Sequence, residues 1–241
     1  MKAFIFAAGL GSRLRPLTND RPKALVEVAG KTLLQRAIEY LQQQGIHDLV
    51  VNIHHFGALV LEYLAEHDNF GSQIQISDER EALLETGGAL VKAAPLLAGT
   101  APIVLYNVDV LTNLDLGQML QAHQKQAALA TLAIRKRESS RYLLFDAKKR
   151  LSGWQNTKTG EERVERPQSN LQPYAFSGIH IINPTLLEWL PKQVSKFSIT
   201  PAYLDLAAQH ALLGYVHDQD YWFDVGKPER LEAATTFLQS L

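Results

Sequence analysis

Lys2-Ala-Phe-Ile-Phe-Ala-Ala8, followed at once by Gly9-Leu-Gly-Ser-Arg-Leu-Arg15-Pro16, opens the chain: an apolar run that reads as a buried strand, closed by a basic, glycine-bearing turn. Gly9 and Gly11 let the backbone come close to a ligand and turn its N–H groups toward it. Arg13, Arg15 and Lys23 add positive charge within a short stretch that Pro16 and Pro22 stiffen. This is equipment for holding a polyphosphate. Two better-known phosphate loops are excluded. The dinucleotide fingerprint needs a third glycine where Leu14 stands, and the P-loop needs Gly-Lys-Ser/Thr where Gly11 is followed by Ser12-Arg13. An ordinary strand-to-helix turn that carries arginines is the alternative that a bare Gly-x-Gly leaves open.

The 241 residues accommodate one α/β domain or two small ones, and 46% hydrophobic content supports a packed core. Lys plus Arg number 24 against 25 Asp plus Glu, so no global basic field attracts nucleic acid and any anion binding must be local. With no cysteine there is no disulfide framework, thiolate metal site or cysteine nucleophile. The chain opens on a strand, not on a charged and then apolar leader, and it has no run of about 18 apolar residues. A soluble cytoplasmic protein with no membrane partner is expected.

Buried-strand runs occur at Ala3 to Ala8, Leu49 to Ile53, Ile103 to Tyr106 and Ala127 to Ile134. Segments of helical period, Leu33 to Leu41 and Phe56 to Leu64, separate them. Such alternation predicts a mainly parallel sheet covered by helices, with ligands bound at the carboxyl ends of its strands. The residues there are Gly9 to Arg15, Asn52 to His55 and Asn107 to Asp109. From Arg135 to about Tyr174 the texture changes to short polar segments, read as small antiparallel strands joined by an exposed loop. Phe176 to Ile182 resumes as a strand, Thr200 to Leu213 as a helix and Pro228 to Leu238 as a closing helix. With no linker or internal repeat, residues 1–241 are expected to form a single domain. Its nucleotide-binding half covers about 1–125 and its acceptor half about 126–241.

Asp109, just past an apolar strand, can take a magnesium ion, and Asp224 in Tyr221-Trp-Phe-Asp-Val-Gly226 is the candidate partner carboxylate. Either aspartate alone could equally be a helix cap or a turn residue. Leu84-Glu-Thr-Gly-Gly-Ala-Leu90 is a second glycine turn whose small residues would let a flat base lie on the backbone, or simply a tight turn. Asn52 offers both a donor and an acceptor for a base edge or ribose. His54 and His55 lack a third ligand at suitable spacing, so a metal role is not assigned. Gly178, in Phe176-Ser-Gly-Ile179, would permit approach by a sugar hydroxyl, and a β-bulge is the favoured alternative.

This ordered set, with Pro22-Lys23-Ala-Leu-Val after the first loop, closely resembles the sugar-1-phosphate nucleotidyltransferase family over nearly the whole chain. The resemblance implies a Rossmann-like α/β fold: a mixed, mainly parallel sheet with a small antiparallel insertion on the acceptor side. It also implies a reaction of a nucleoside triphosphate with a sugar 1-phosphate to give a nucleotide sugar and pyrophosphate. On this basis Ala8, Gly9, Leu10, Gly11 and Ser12 wrap the triphosphate, Arg13 neutralises it and Lys23 sits at the α-phosphate. Asp109 and Asp224 hold Mg2+, Asn52, Leu84 and Gly87 meet the base, and Asn107 and Gly178 meet the sugar. Length and the Leu-Glu-Thr-Gly-Gly turn resemble the short uridylyltransferases that act on N-acetylmuramate 1-phosphate in cell-wall sugar recycling. Guanylyl transfer to mannose 1-phosphate, or thymidylyl or uridylyl transfer to glucose 1-phosphate, would use the same phosphate machinery. The chain is expected to lack the acetyltransferase appended in bifunctional members and to be a monomer or small homo-oligomer.

Two departures stand out. Val108 occupies a position where the family usually has glycine, and Val164-Glu-Arg-Pro167 has Arg166 where many relatives carry a lysine. The nucleophile, a phosphate monoester with a second pKa near about 6, is largely dianionic at neutral pH and needs no general base. A hydride-transferring dinucleotide enzyme is disfavoured by the missing third glycine. A non-catalytic sugar-nucleotide sensor is the rival of another class.

Overall fold

A computed structural model describes residues 1–240. Up to Lys125 the chain forms β1 (Lys2–Phe6), a hairpin of β2 (Glu27–Val28) and β3 (Lys31–Thr32), α1 (Leu33–Gln43), β4 (Asp48–Ile53), α2 (Gly57–Glu66) and β5 (Gln73–Asp78). Then come α3 (Glu85–Ala93), β6 (Ile103–Asn107), β7 (Val110–Thr112) and α4 (Leu116–Lys125). Beyond it lie β8 (Ala130–Arg135), β9 (Arg141–Phe145), β10 (Leu151–Asn156), β11 (Glu161–Val164) and β12 (Gln172–Ile182). The single turn α5 (Leu186–Trp189), α6 (Ile199–Ala207), β13 (Leu212–Val216), β14 (Trp222–Asp224) and α7 (Pro228–Gln239) complete the described residues.

The main sheet has ten strands, ordered β11-β10-β9-β12-β6-β1-β4-β5, with β8 beside β12 and β13 beside β8. β1 runs parallel to β4 and β6, and β4 parallel to β5, so the loops after β1, β4 and β6 leave the sheet at one edge. β12 is antiparallel to β6, β8 and β9, and β9 to β11 form the small antiparallel extension expected on that side.

Residues of β1 divide between two cores by strand alternation. Ala3 and Ile5, with Ala7 just beyond the strand, pack with Leu34, Ile38 and Leu41 of α1, while Phe4 packs with Leu90 of α3 and Leu204 of α6. Each fully buried leucine or isoleucine contributes about 1.5–3 kcal/mol. This two-sided burial clamps β1, so the loop that leaves it starts from a rigid point. α1 is capped by Thr32, whose Oγ1 accepts from Gln35 N at 3.0 Å.

One expected helix is shorter than its apolar pattern suggested. α6 ends at Ala207, and Leu212 and Leu213 belong to β13, where they pair with Ala130 and Thr131 of β8. Pairing with a buried strand outweighs the helical spacing of those leucines. Two short strands, β7 and β14, were not expected from the sequence and prove decisive for the site. Among the described residues no helix is long and apolar enough to cross a membrane.

Three histidines are buried as neutral rings: His123 against Thr131 Oγ1 (2.9 Å), His180 against the Tyr203 hydroxyl (2.8 Å) and His217 against Ser177 Oγ (2.7 Å). Burial lowers the pKa of His123 and His217 to about 4 and that of His180 to about 3, from 6.5. Between those limits the unfolded chain binds more protons than the native one, so stability rises with pH. The contribution is complete above pH 6.5 and is lost as pH falls toward about 4. The urea midpoint should therefore decline steadily across that interval, and a midpoint that held flat or rose on acidification would contradict this account.

Candidate functional site

The loop after β1 is built around Gly11. Its φ of +63° suits glycine, and a Cβ there would lie 2.9 Å from Thr18 Cγ2 and 3.0 Å from Lys23 Cβ. Thr18 Oγ1 and Leu14 N both donate to the Gly11 carbonyl, at 2.9 and 2.8 Å. Leu14 is buried and anchors a 3-10 turn, Ser12–Leu14, that leaves Leu10, Ser12, Arg13 and Arg15 exposed. At Gly9 a Cβ would meet nothing within 4 Å, so this stretch of backbone faces open space.

That space is a cleft of about 370 Å³, whose walls include Ala8, Gly9, Lys23, Asn52, Asn107 and Asp109. Lys23 is buried and forms an ion pair with Asp109 across the cleft wall. Asp224 is brought to the same place by β14, which pairs antiparallel with β7 so that Asp224 stands opposite Val110. Val225 N donates to the Asp109 carbonyl at 2.8 Å and completes the junction. Arg13 reaches over the same turn, because a Cβ on Gly226 would sit 2.8 Å from both Arg13 Nη2 and Asp224 Oδ1.

The carboxyl of Asp224 is held above its ordinary pKa, first by burial and then by the charge of Asp109, against the opposing pull of Lys23, Arg13 and Arg137. Asp224 Oδ1 is buried without a hydrogen-bond partner. Among the described residues no group of three or more His, Cys, Asp or Glu could hold a metal. Two carboxylates, one with an unpartnered buried oxygen, fit a hard cation that takes its remaining oxygens from phosphate and water.

Several side chains singled out in the sequence have other occupations. Asn52 is committed to the scaffold: its Oδ1 accepts from Ala7 N (2.6 Å) and Ala8 N (3.2 Å), and its Nδ2 donates to Glu79 Oε1 (2.8 Å). One amide hydrogen remains for a ligand. Glu79, fully buried, also accepts from Leu84 N at 3.3 Å, and burial raises its pKa. The space beside Gly87 is filled by protein, since a Cβ there would lie 2.2 Å from the Phe197 ring. Gly87 N and Gly88 N donate to the Phe197 carbonyl (2.9 and 3.2 Å), and Phe197 N donates to the Leu84 carbonyl (3.1 Å). Those glycines admit a neighbouring segment, and it is Leu83, Glu85 and Thr86 of this turn that reach the cleft.

Gly178, at φ +81°, lies in the register shift of β12 against β8. A Cβ on it would be 2.8 Å from Val110 Cγ2 and 2.9 Å from Asn107 Nδ2, so it packs closely on these two residues within a bulge. Glu165 pairs with Arg163, which also pairs with Asp205, and the amides of Glu165 and Arg166 donate to the Ser152 carbonyl. His54 Nδ1 donates to the Glu79 carbonyl at 2.7 Å. Sequence reasoning missed Glu79, Arg137 and Trp222. The only written signals were the basic run Arg135-Lys-Arg137 and the aromatic run before Asp224.

Two glycines give a paired test of this geometry. Gly88→Ala places a Cβ 2.0 Å from the Ser195 carbonyl oxygen and should cost about 1–3 kcal/mol in urea unfolding. Gly9→Ala should stay within about 0.5 kcal/mol of the parent. Equal losses at the two positions would contradict the packing described.

The nucleotidyl transferase family model matches residues 2–240. An N-acetylmuramate alpha-1-phosphate uridylyltransferase of Caulobacter vibrioides is 34% identical over 240 residues, covering 96% of this chain and 94% of the relative. A mannose-1-phosphate guanyltransferase of Yarrowia lipolytica is 30% identical over 248 residues, and the match spans 100% of this chain but 65% of that protein. Among solved structures, a putative glucose-1-phosphate thymidylyltransferase of Bacillus anthracis superposes with a TM-score of 0.80 at 19% identity, covering 100% of this chain and 96% of the other. HddC of Yersinia pseudotuberculosis, complexed with GMP-PN, gives 0.76 at 22% identity, covering 98% and 99%. These structural likenesses concern the fold. With a family model matching almost from end to end, and a relative aligned over nearly the full length of both chains, the chain belongs to the sugar-1-phosphate nucleotidyltransferases.

Proposed function

We propose that this enzyme transfers a uridylyl group from UTP to N-acetylmuramate 1-phosphate, giving UDP-N-acetylmuramate and pyrophosphate within the recycling of cell-wall sugars in the cytoplasm. The observation that carries this choice is the match to the Caulobacter uridylyltransferase at 34% identity over 94% of its length. The Yarrowia guanyltransferase is matched over only 65% of its own.

The residue roles follow from charge and position. The Gly9 to Ser12 backbone cradles the triphosphate, with Arg13 at the phosphates that depart as pyrophosphate. Lys23 stabilises charge at the α-phosphoryl group, and Asn107 faces the acceptor. Asp109 and Asp224 would hold a magnesium ion, which when bound supplies charge neutralisation and alignment of the phosphates. The acceptor phosphate is already dianionic at neutral pH, so the protein's task is to offset anion–anion repulsion and to hold an in-line geometry. Asn52 keeps the Ala7 and Ala8 amides fixed while its one free amide hydrogen is available to the nucleotide. On this reading one domain divides at about residue 125 into a nucleotide-binding part and an acceptor part.

Lys23→Ala should lower kcat by at least about tenfold, or 1.4 kcal/mol of barrier, with circular dichroism unchanged. Wild-type turnover by a folded Lys23→Ala enzyme would remove its assigned role. In a matrix of four triphosphates against sugar 1-phosphates, scored by pyrophosphate release, UTP with N-acetylmuramate 1-phosphate should give the highest kcat/KM. A higher value for GTP with mannose 1-phosphate would transfer the assignment. Chelation should abolish release and added Mg2+ restore it, and activity that survives chelation would exclude the metal.

A further inference from the structure

Among the charged groups near Asp224, Arg137 has no assigned task and an unusual setting. It follows β8 and lays its guanidinium on the Trp222 ring, 4.5 Å from the ring centroid. Trp222 is itself fixed by donation from Nε1 to the Ser177 carbonyl at 2.9 Å. Arg137 Nη2 donates to the Phe176 carbonyl at 3.0 Å and Nη1 to the Glu138 carbonyl at 3.2 Å. Its Nε is buried without a partner, and Arg137 makes no ion pair among the described residues. A guanidinium carries five N–H donors, so two bonds to carbonyls leave three unassigned.

The same side chain lines a cavity of about 200 Å³ together with Ser139, Tyr142, Trp154 and Phe176. Phe176 lies on β12 two residues before Gly178, which rests against Asn107 of the cleft wall. Trp222, on which the guanidinium lies, stands two residues before Asp224 on β14, so the stack sets Arg137 against the strand that carries the second carboxylate. Arg13 reaches the turn at Asp224 and Gly226 from the loop after β1, whereas Arg137, two residues past β8, stacks on Trp222 of β14. Removing a guanidinium from water without a counter-charge is unfavourable, and a planar fork with spare donors matches the oxygens of a phosphate.

We propose that Arg137 binds the phosphate of the acceptor sugar, steering the nucleophile toward the triphosphate held on the opposite side of Asp224. This rests on the acceptor being a sugar 1-phosphate. The stacked indole fixes the plane of the fork, and the aromatic cavity beside it receives the sugar ring. Arg166, in the segment where many relatives place a lysine, is not required for this contact. Its amide donates to the Ser152 carbonyl on β10.

The test is steady-state kinetics of Arg137→Ala and Arg137→Lys with whichever sugar 1-phosphate the parent enzyme uses best. Arg137→Ala should raise the acceptor KM by at least about tenfold, leave the triphosphate KM within about twofold, and be partly rescued by Arg137→Lys. An unchanged acceptor KM, or equal rises for both substrates, would overturn the proposal. A second arm compares N-acetylmuramate 1-phosphate with N-acetylglucosamine 1-phosphate, which lacks the lactyl carboxylate. Similar losses for both support the phosphate contact, and a loss confined to the carboxylate-bearing acceptor overturns it. Tryptophan fluorescence during titration with inorganic phosphate gives a readout independent of turnover: the parent should bind at least about tenfold more tightly than Arg137→Ala, and equal binding counts against the proposal. If the preferred acceptor is mannose 1-phosphate, the substrate assignment fails, while the KM ratio with that acceptor still decides Arg137. Should Arg137→Ala not fold, Arg137→Gln takes its place in every arm.

Discussion

Two carboxylates that repel one another are held together by a ribbon of two short strands. β14 pairs with β7, Asp224 falls opposite Val110, and Val225 N closes onto the Asp109 carbonyl. Burial and then the charge of Asp109 raise the pKa of Asp224, so backbone pairing holds the two against a mutual repulsion. The cations explain how it does so. Lys23 neutralises Asp109 directly, and Arg13 and Arg137 bear on Asp224 from different parts of the chain. The site is thus a balanced assembly of charge, and its balance changes when phosphate-bearing ligands enter. The unpartnered, buried Asp224 Oδ1 belongs to that logic, because on the proposed function it would accept a cation.

A second constraint ties the two glycine-bearing loops to each other. Asn52 at the end of β4 holds the amides that follow β1, and Glu79 after β5 holds Asn52 on one oxygen and Leu84 N on the other. A buried carboxylate with two internal donors fixes distances better than a mobile surface contact does. The loop after β1 and the turn at Leu84 consequently share one register. Phe197 extends that register to the segment before α6, since its backbone pairs with the turn on both sides.

The parallel centre of the fold was legible because β1, β4 and β6 are buried on both faces and written as continuous apolar runs. Gly11 and Lys23 were legible because a left-handed glycine beside a cation is a local feature. β7 and β14 were not, since three-residue strands carry no period and exist only through their partner. Leu212 and Leu213 misled for the opposite reason: their spacing continues a helix, and only β8 makes them strand. The glycines of the Leu84 turn show a further limit. A small residue announces close approach without saying by what, and here the approaching group is Phe197. Arg137 stood only in a basic run and Glu79 in no motif, because what matters for them is a partner far along the chain, Trp222 for one and Asn52 for the other.

Val108 illustrates how such a departure can be absorbed. A valine where relatives favour glycine suggests crowding of the acceptor, yet its side chain is only 3% exposed and belongs to the core that contains Ile5 and Val110. Its amide donates to the Phe6 carbonyl at 3.3 Å, so the backbone continues the ladder between β6 and β1 before Asp109 emerges. The added bulk is therefore taken up largely by the core, while Val108 still lines the cleft beside Asp109. If Arg137 takes the acceptor phosphate as proposed, selection among acceptor sugars would fall to Tyr142, Trp154 and Phe176, which line the same cavity. Aromatic rings there would discriminate by the shape of a sugar face, while the charge that all sugar 1-phosphates share would be met by the arginine.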